Sequence, residues 1–299
     1  MPQTDAAELF HFTWSVPDRG YVWRNDMKAD IPLGTGERPP FLMVHPESKT
    51  ETRYDPLPDD EDGSEDTPLF QQFADLDLSQ ETIKAFADRW GWLGASTRLA
   101  PSKSRKKIVT VEKGESLEIW LREIQDVRRA VTLWKWSKRK DSAVQVTWES
   151  KECVRVRISR YASKPDNGQK DPDEVLLHQR FLPDLFDKFR HNNPVLPAQA
   201  ALALLINKKL NGLASPRLLL NRHGTIQGFV RPRNLLAAIW VQLYQAIQGQ
   251  RRIVACKYCH QLMDVTGHRV SKTAHSRCGH NAKMNRYRKK RAAIARTKK

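Results

Sequence analysis

The stretch CKYCHQLMDVTGHRVSKTAHSRC, residues 256–278, carries Cys256 and Cys259 at one end and His275 and Cys278 at the other. Two residues separate the members of each pair. Such spacing puts two ligands on one tight turn, close enough to fill one edge of a tetrahedron around a metal ion. The second pair, on another turn or a helix start, fills the opposite edge. The whole pattern is Cys-x2-Cys-x15-His-x2-Cys. Thiolate and imidazole are the ligands zinc takes in structural sites, and four protein ligands leave no position for water or substrate. The reading is therefore one structural zinc. His260, His268 and His280 compete with His275 for the fourth position. His260 adjoins Cys259 and turns onto the same ion awkwardly, His268 falls in the loop GHRVSK, and His280 lies two residues past Cys278. His275 is favoured on spacing, with the others open. A redox reading of Cys-x-x-Cys needs a β-α-β setting, whereas the flanks offer a strand, a polar loop and a basic helix.

The basic segment NAKMNRYRKKRAAIARTKK follows without a break. Lys283, Arg286, Arg288, Lys289, Lys290 and Arg291 put six cations into nine residues of good helix formers. In a free helix they repel one another. Phosphates relieve that repulsion, and counterion release drives the association. These six are the candidate nucleic-acid contacts. Tyr287 is read as packing on the metal turn, with stacking on a base as its second role.

Charge is distributed unevenly. Residues 251–299 hold fifteen Lys/Arg and one acid, Asp264, whereas residues 1–100 hold nine Lys/Arg against nineteen Asp/Glu. With a net charge of +17 overall, this describes a basic end that meets a polyanion and an acidic end that does not. The acids concentrate in DPLPDDEDGSEDTP, residues 55–68, read as a solvated, mobile loop that could mask the basic arm.

Four cysteines in 299 residues make no disulfide framework, and Cys153 reads as a small buried hydrophobe on a strand. The richest apolar stretch, AALALLI at 200–206, is too short for a bilayer span. MPQTDAAELF has neither the basic nor the apolar region of a secretory signal, so the cytoplasm is the expected compartment and no membrane is an expected partner.

Upstream of the metal segment the pattern alternates strands and helices. Short strands are expected around FHFTWSV, YVW and PPFLMV in the first fifty residues. A two-piece helix spans 69–94, with Ser79 capping the second piece, and a long amphipathic helix spans 115–140. Strands follow at 144–148 and 154–161, the second with Arg155, Arg157 and Ser159 on a solvated face. Helices are expected at 173–190, bent or interrupted at Pro183, and at 198–214. A hairpin at 217–230 then leads into a helix over 231–249 capped by Asn234. The fold class is α+β: a large, mixed, helix-rich domain over 1–250, then a small zinc-ribbon or treble-clef-like module over 251–299 ending in a basic helix.

CGHNAKMNRYR, residues 278–288, resembles the signature of the CGNR zinc-finger family, Cys-Gly-Asn-Arg-Ala-Lys running into an Arg-x-Arg helix. Cys278, Gly279, Ala282, Lys283, Arg286 and Arg288 match, and Cys256 with Cys259 correspond to the family's first cysteine pair. His280 and Asn281 replace the Asn-Arg of the name, and Thr273 stands near where the family has its third cysteine. The resemblance implies a divergent bacterial relative and a DNA-binding transcriptional regulator, with DNA favoured over RNA. In that reading the domain over 1–250 binds a small ligand or a protein. The alternatives are a protein-interaction module with structural zinc, or a nuclease or toxin. No paired carboxylates of convincing spacing, G-x-S-x-G motif or phosphate-cradling glycine loop appears, so no enzyme is expected.

Overall fold

The computed structural model describes residues 14–24, 40–54, 67–95, 114–139, 144–158, 174–181, 183–189, 194–220, 226–259, 262–265 and 273–297. Among these the chain is mixed α/β, with several small sheets, every strand pair antiparallel. The acidic loop lies outside the described residues as far as residue 66. No helix among the described residues is long and apolar enough to cross a membrane.

The first strands are short, as their Pro- and Gly-punctuated sequence requires. β1 (Trp14–Pro17) pairs with β4 (Glu51–Tyr54), and β3 (Phe41–Val44) sits between β2 (Tyr21–Arg24) and β5 (Gly114–Ser116). α2 (Gln80–Trp90) packs against β1 and β2, and α1 (Leu69–Ala74) precedes it. Ser79 caps α2 by accepting from the Thr82 N–H at 3.3 Å, and Gly91 closes it at φ +86°. Phe73, Phe86 and Trp120 meet edge-on or tilted at 5.3–6.2 Å, which joins these helices to α3 (Leu117–Arg139).

The expected stripe of α3 is buried at Trp120, Ile124, Val127, Val131 and Trp134. α5 (Val195–Leu210) packs along it. The centre of the core is α6 (Leu235–Ile247), whose Leu235–Leu243 are all buried. The sequence pattern predicts a wide stripe; a helix apolar nearly all round must be enclosed, and α1, α3 and α5 enclose it. Asn234 caps α6 by accepting from the Ala237 N–H at 2.8 Å. Gln242, in its middle, accepts from the Phe70 N–H at 3.1 Å and so satisfies the start of α1.

β6 (Val144–Ser150), β7 (Cys153–Ile158) and β8 (Glu174–His178) form a second three-stranded sheet. Here the structure corrects the helix expected at 173–190. Residues 174–178 are a strand, a 3-10 turn follows at Gln179–Phe181, and α4 (Pro183–Phe189) begins at the proline. Proline fits the first position of a helix, where no N–H is needed, better than a bend. Strand register also sets Glu174 opposite Arg157. Its carboxylate receives Arg157 and, at 2.8 Å, Arg155, which also reaches Glu149 at 2.9 Å. The arginines of the β7 face are thus paired with carboxylates. β9 (Ala214–Leu220) and β10 (Ile226–Pro232) make the expected hairpin.

Glu115 of β5 is fully buried. Its two oxygens accept from the N–H groups of Leu93 and Ala95, at 3.1 and 3.0 Å. The same segment is gripped from α6, where Asn234 donates to the Gly94 carbonyl at 3.0 Å. Burial drives the Glu115 carboxyl up to about 7 against these donors. A folded-state value above the ordinary 4.5 means that stability from this group is greatest below about pH 4.5. It declines as pH rises to about 7 and is then level. The swing is on the order of 3 kcal/mol. Urea unfolding of Glu115→Gln at pH 5 and pH 8 is therefore expected to show a smaller pH difference than wild type. Equal differences would refute the assignment.

Candidate metal centre

The metal segment begins where α6 ends. Gly249 turns the chain at φ +76°, and β11 (Ile253–Ala255) pairs with β12 (Leu262–Asp264). Period-2 alternation gives this hairpin two working faces. Ile253, Ala255 and Leu262 pack against the main core, whereas Val254 and Met263, register partners, pack with Cys256 and Val265 in a separate small cluster. Arg251 fixes the arrangement. It donates to Gln245 of α6 at 3.2 Å and pairs with Asp264 of β12 at 2.9 Å, both ionic side chains being largely buried. The one acid of the basic module therefore serves to dock it.

Cys256 follows β11 directly, and the turn 256–259 brings Cys259 round to the same point. The backbone is tied to the second knuckle by the Lys257 N–H, which donates to the Thr273 carbonyl at 3.0 Å. His275 immediately precedes α7 (Ser276–Thr297), and its carbonyl accepts the Gly279 N–H at 2.9 Å. Cys278 lies in the first turn. The x2 spacing of His275 and Cys278 is thus the spacing of a helix cap and its third residue, whose side chains face each other.

The four ligand atoms of Cys256, Cys259, His275 and Cys278 lie within 4.8 Å of one another and could hold one metal ion. His275 Nδ1 is 3.3 Å from Cys259 Sγ and 3.9 Å from Cys278 Sγ. A tetrahedral ion with bonds of about 2.3 Å to sulfur and about 2.0 Å to nitrogen needs an edge of about 3.5 Å. The residues fit. His275 is buried, and among the described residues its Nε2 has no hydrogen-bond partner, a cost that a strong bond at Nδ1 would offset.

Thiol ionisation points the same way. Burial raises the Cys256 thiol, but the backbone N–H groups of Cys259, Tyr258 and His275 outweigh it and bring it down to about 6. Burial and then the neighbouring Cys259 and Cys256 push Cys278 up to about 11. One sulfur ionises readily and makes the next harder to ionise, and a bound cation removes that conflict.

His275 is the one histidine among the described residues in this cluster. His280 is exposed on α7, and His260 and His268 lie outside the described residues. All six candidate nucleic-acid contacts are on α7. Lys283 and Arg288 are exposed, while the side chains of Arg286, Lys289, Lys290 and Arg291 lie outside the described ones. Tyr287, expected to pack on the metal turn, is 56% exposed. Asn281, Met284 and Asn285 are exposed as well, so the described side chains of α7 beyond its first turn gain little from burial.

No protein-family model matches the chain, and no curated protein and no solved structure matches it.

Metal analysis of the full chain is expected to give about one equivalent, lost in Cys256→Ser and His275→Ala and kept in Cys153→Ser. Chelation should lower helical circular dichroism, because the metal pins the start of α7. All nine tryptophans precede residue 251, so their fluorescence should stay native and report the body separately. Full metal content in His275→Ala would remove that ligand from the set.

Proposed function

We propose that the chain is a zinc-dependent nucleic-acid-binding protein, with one structural zinc on Cys256, Cys259, His275 and Cys278 presenting α7 to phosphates. The observation that carries the reading is the position of the ligand set. It closes the first turn of a 22-residue helix whose described side chains, from Asn281 on, are mostly exposed and whose sequence is strongly basic. Zinc suits the donors, since three thiolates and one imidazole are soft and borderline ligands in a closed set. Its role is to hold two turns together. Lys283, Arg286, Arg288, Lys289, Lys290 and Arg291 then meet the phosphates.

The resemblance of residues 278–288 to the CGNR signature supports a zinc-ribbon-like module in a bacterial transcriptional regulator acting on DNA in the cytoplasm. Residues 1–250 would receive a small ligand or a protein partner. Pairing of Arg155 and Arg157 with Glu174 and Glu149 favours α7 over the β7 face as the phosphate-binding surface.

Salt dependence tests the reading. Log affinity should fall with log salt at about 0.9 per phosphate contacted on duplex DNA, hence a slope near −5 if all six cations engage. Replacing Lys289 and Lys290 by alanine should reduce the slope by about 2 and weaken all sequences alike. A flat titration, or no binding at low salt, would leave the zinc module as a protein-interaction element.

A further inference from the structure

The exposed aromatic surface of the metal module is not explained by phosphate contacts alone. Tyr258, in the turn between the first two cysteines, is 41% exposed, and Tyr287 and Met284 on α7 are 56% and 38% exposed. These are the only two tyrosines in residues 251–299, and both emerge into a strongly basic surface. Lys257 Nζ lies 5.1 Å from the centre of the Tyr258 ring, so a cation already covers one face. A flat group would take the other. On α7, positions 283, 284, 290 and 291 neighbour Tyr287 at i−4, i−3, i+3 and i+4. Three of these are cations, and the fourth is the exposed Met284. Tyr287 lies nine residues past Cys278, about 13 Å up the helix from the metal turn.

Cations around an exposed ring suit a ligand that alternates negative charge with flat π-faces. Paired bases keep their faces inside the duplex stack, and only unpaired bases can turn a face to a side chain. We propose that the metal-pinned arm takes single-stranded nucleic acid, its phosphates on the arm cations and its bases stacked on Tyr287 and Tyr258. The proposal rests on the nucleic-acid reading above and narrows it to unpaired strands, with ribose and deoxyribose strands offering the same two features.

The test uses the full zinc-loaded chain and oligonucleotides of one length: single-stranded DNA, single-stranded RNA, duplex DNA, and a DNA strand with abasic sites. The base-bearing strands should bind more tightly than the abasic strand. Tyr287→Ala should weaken base-bearing strands about 5- to 100-fold, leave the salt slope and duplex binding unchanged, and bring their affinity to that of the abasic strand. Tyr287→Phe should retain binding, and Tyr258→Ala should behave as a second, smaller loss. Both side chains are exposed, so unchanged zinc content and tryptophan fluorescence will verify the fold. Whether DNA or RNA binds better identifies the source of the strand. If abasic and base-bearing strands bind equally, or Tyr287→Ala weakens duplex and single strand alike, stacking is overturned while phosphate binding stands. If no oligonucleotide binds at low salt, both readings fall.

Discussion

Three sulfurs and an imidazole nitrogen meet within 4.8 Å at the end of the chain, and everything C-terminal to residue 255 depends on how that crowding is resolved. Cys256 sits among N–H donors that favour its thiolate, and ionised sulfur there makes Cys278 harder to ionise. Hydrogen bonding alone cannot settle three like groups at one point. A divalent cation can, because each added thiolate then lowers the energy instead of raising it. The ligand set is also local to two turns, so an ion bound there would act chiefly by holding the Cys256–Cys259 turn against the first turn of α7.

That small unit is not tethered loosely to the rest. The β11–β12 hairpin gives Ile253, Ala255 and Leu262 to the main core and Val254 and Met263 to the metal cluster. Arg251 adds a polar link from Gln245 at the end of α6 to Asp264 in β12. The hairpin that carries Cys256 is therefore docked beside α6, the most enclosed helix among those described, by apolar packing and by this charged link.

Much of this was legible in the sequence, for identifiable reasons. The metal ligands were visible because their spacing is dictated by turn geometry, which is local. Ser79 and Asn234 were visible as caps for the same reason. Residues 174–178 read as helix because a three-residue apolar run, Val175–Leu177, fits a strand or a helix, and only its pairing with β7 decides. Glu115 gave no sign at all: nothing in GES shows that the 93–95 backbone will fold over it and bury its charge. Tyr287 reads as packing on the metal turn, with stacking on a base as its second role, and it is 56% exposed. Spacing tells which residues share a face, but not whether another element arrives to cover it.

The exposed helix raises a question of balance that the metal centre itself helps to answer. α7 has no acidic residue in its first turn, although a helix start favours negative charge. Three thiolates with one divalent ion would leave a net charge of −1 at that end, so a metal-loaded cluster would supply what the sequence omits. The six cations from Lys283 to Arg291 span about 12 Å of helix, one per roughly 2 Å. Duplex DNA carries one charge per about 1.7 Å. In the proposed function, a helix so charged would be held by its anchored first turn and by an anion of comparable density. A pinned start would fix the spacing of the charges before a strand arrives, so less conformational freedom would be lost on binding than if the arm were a loose thread.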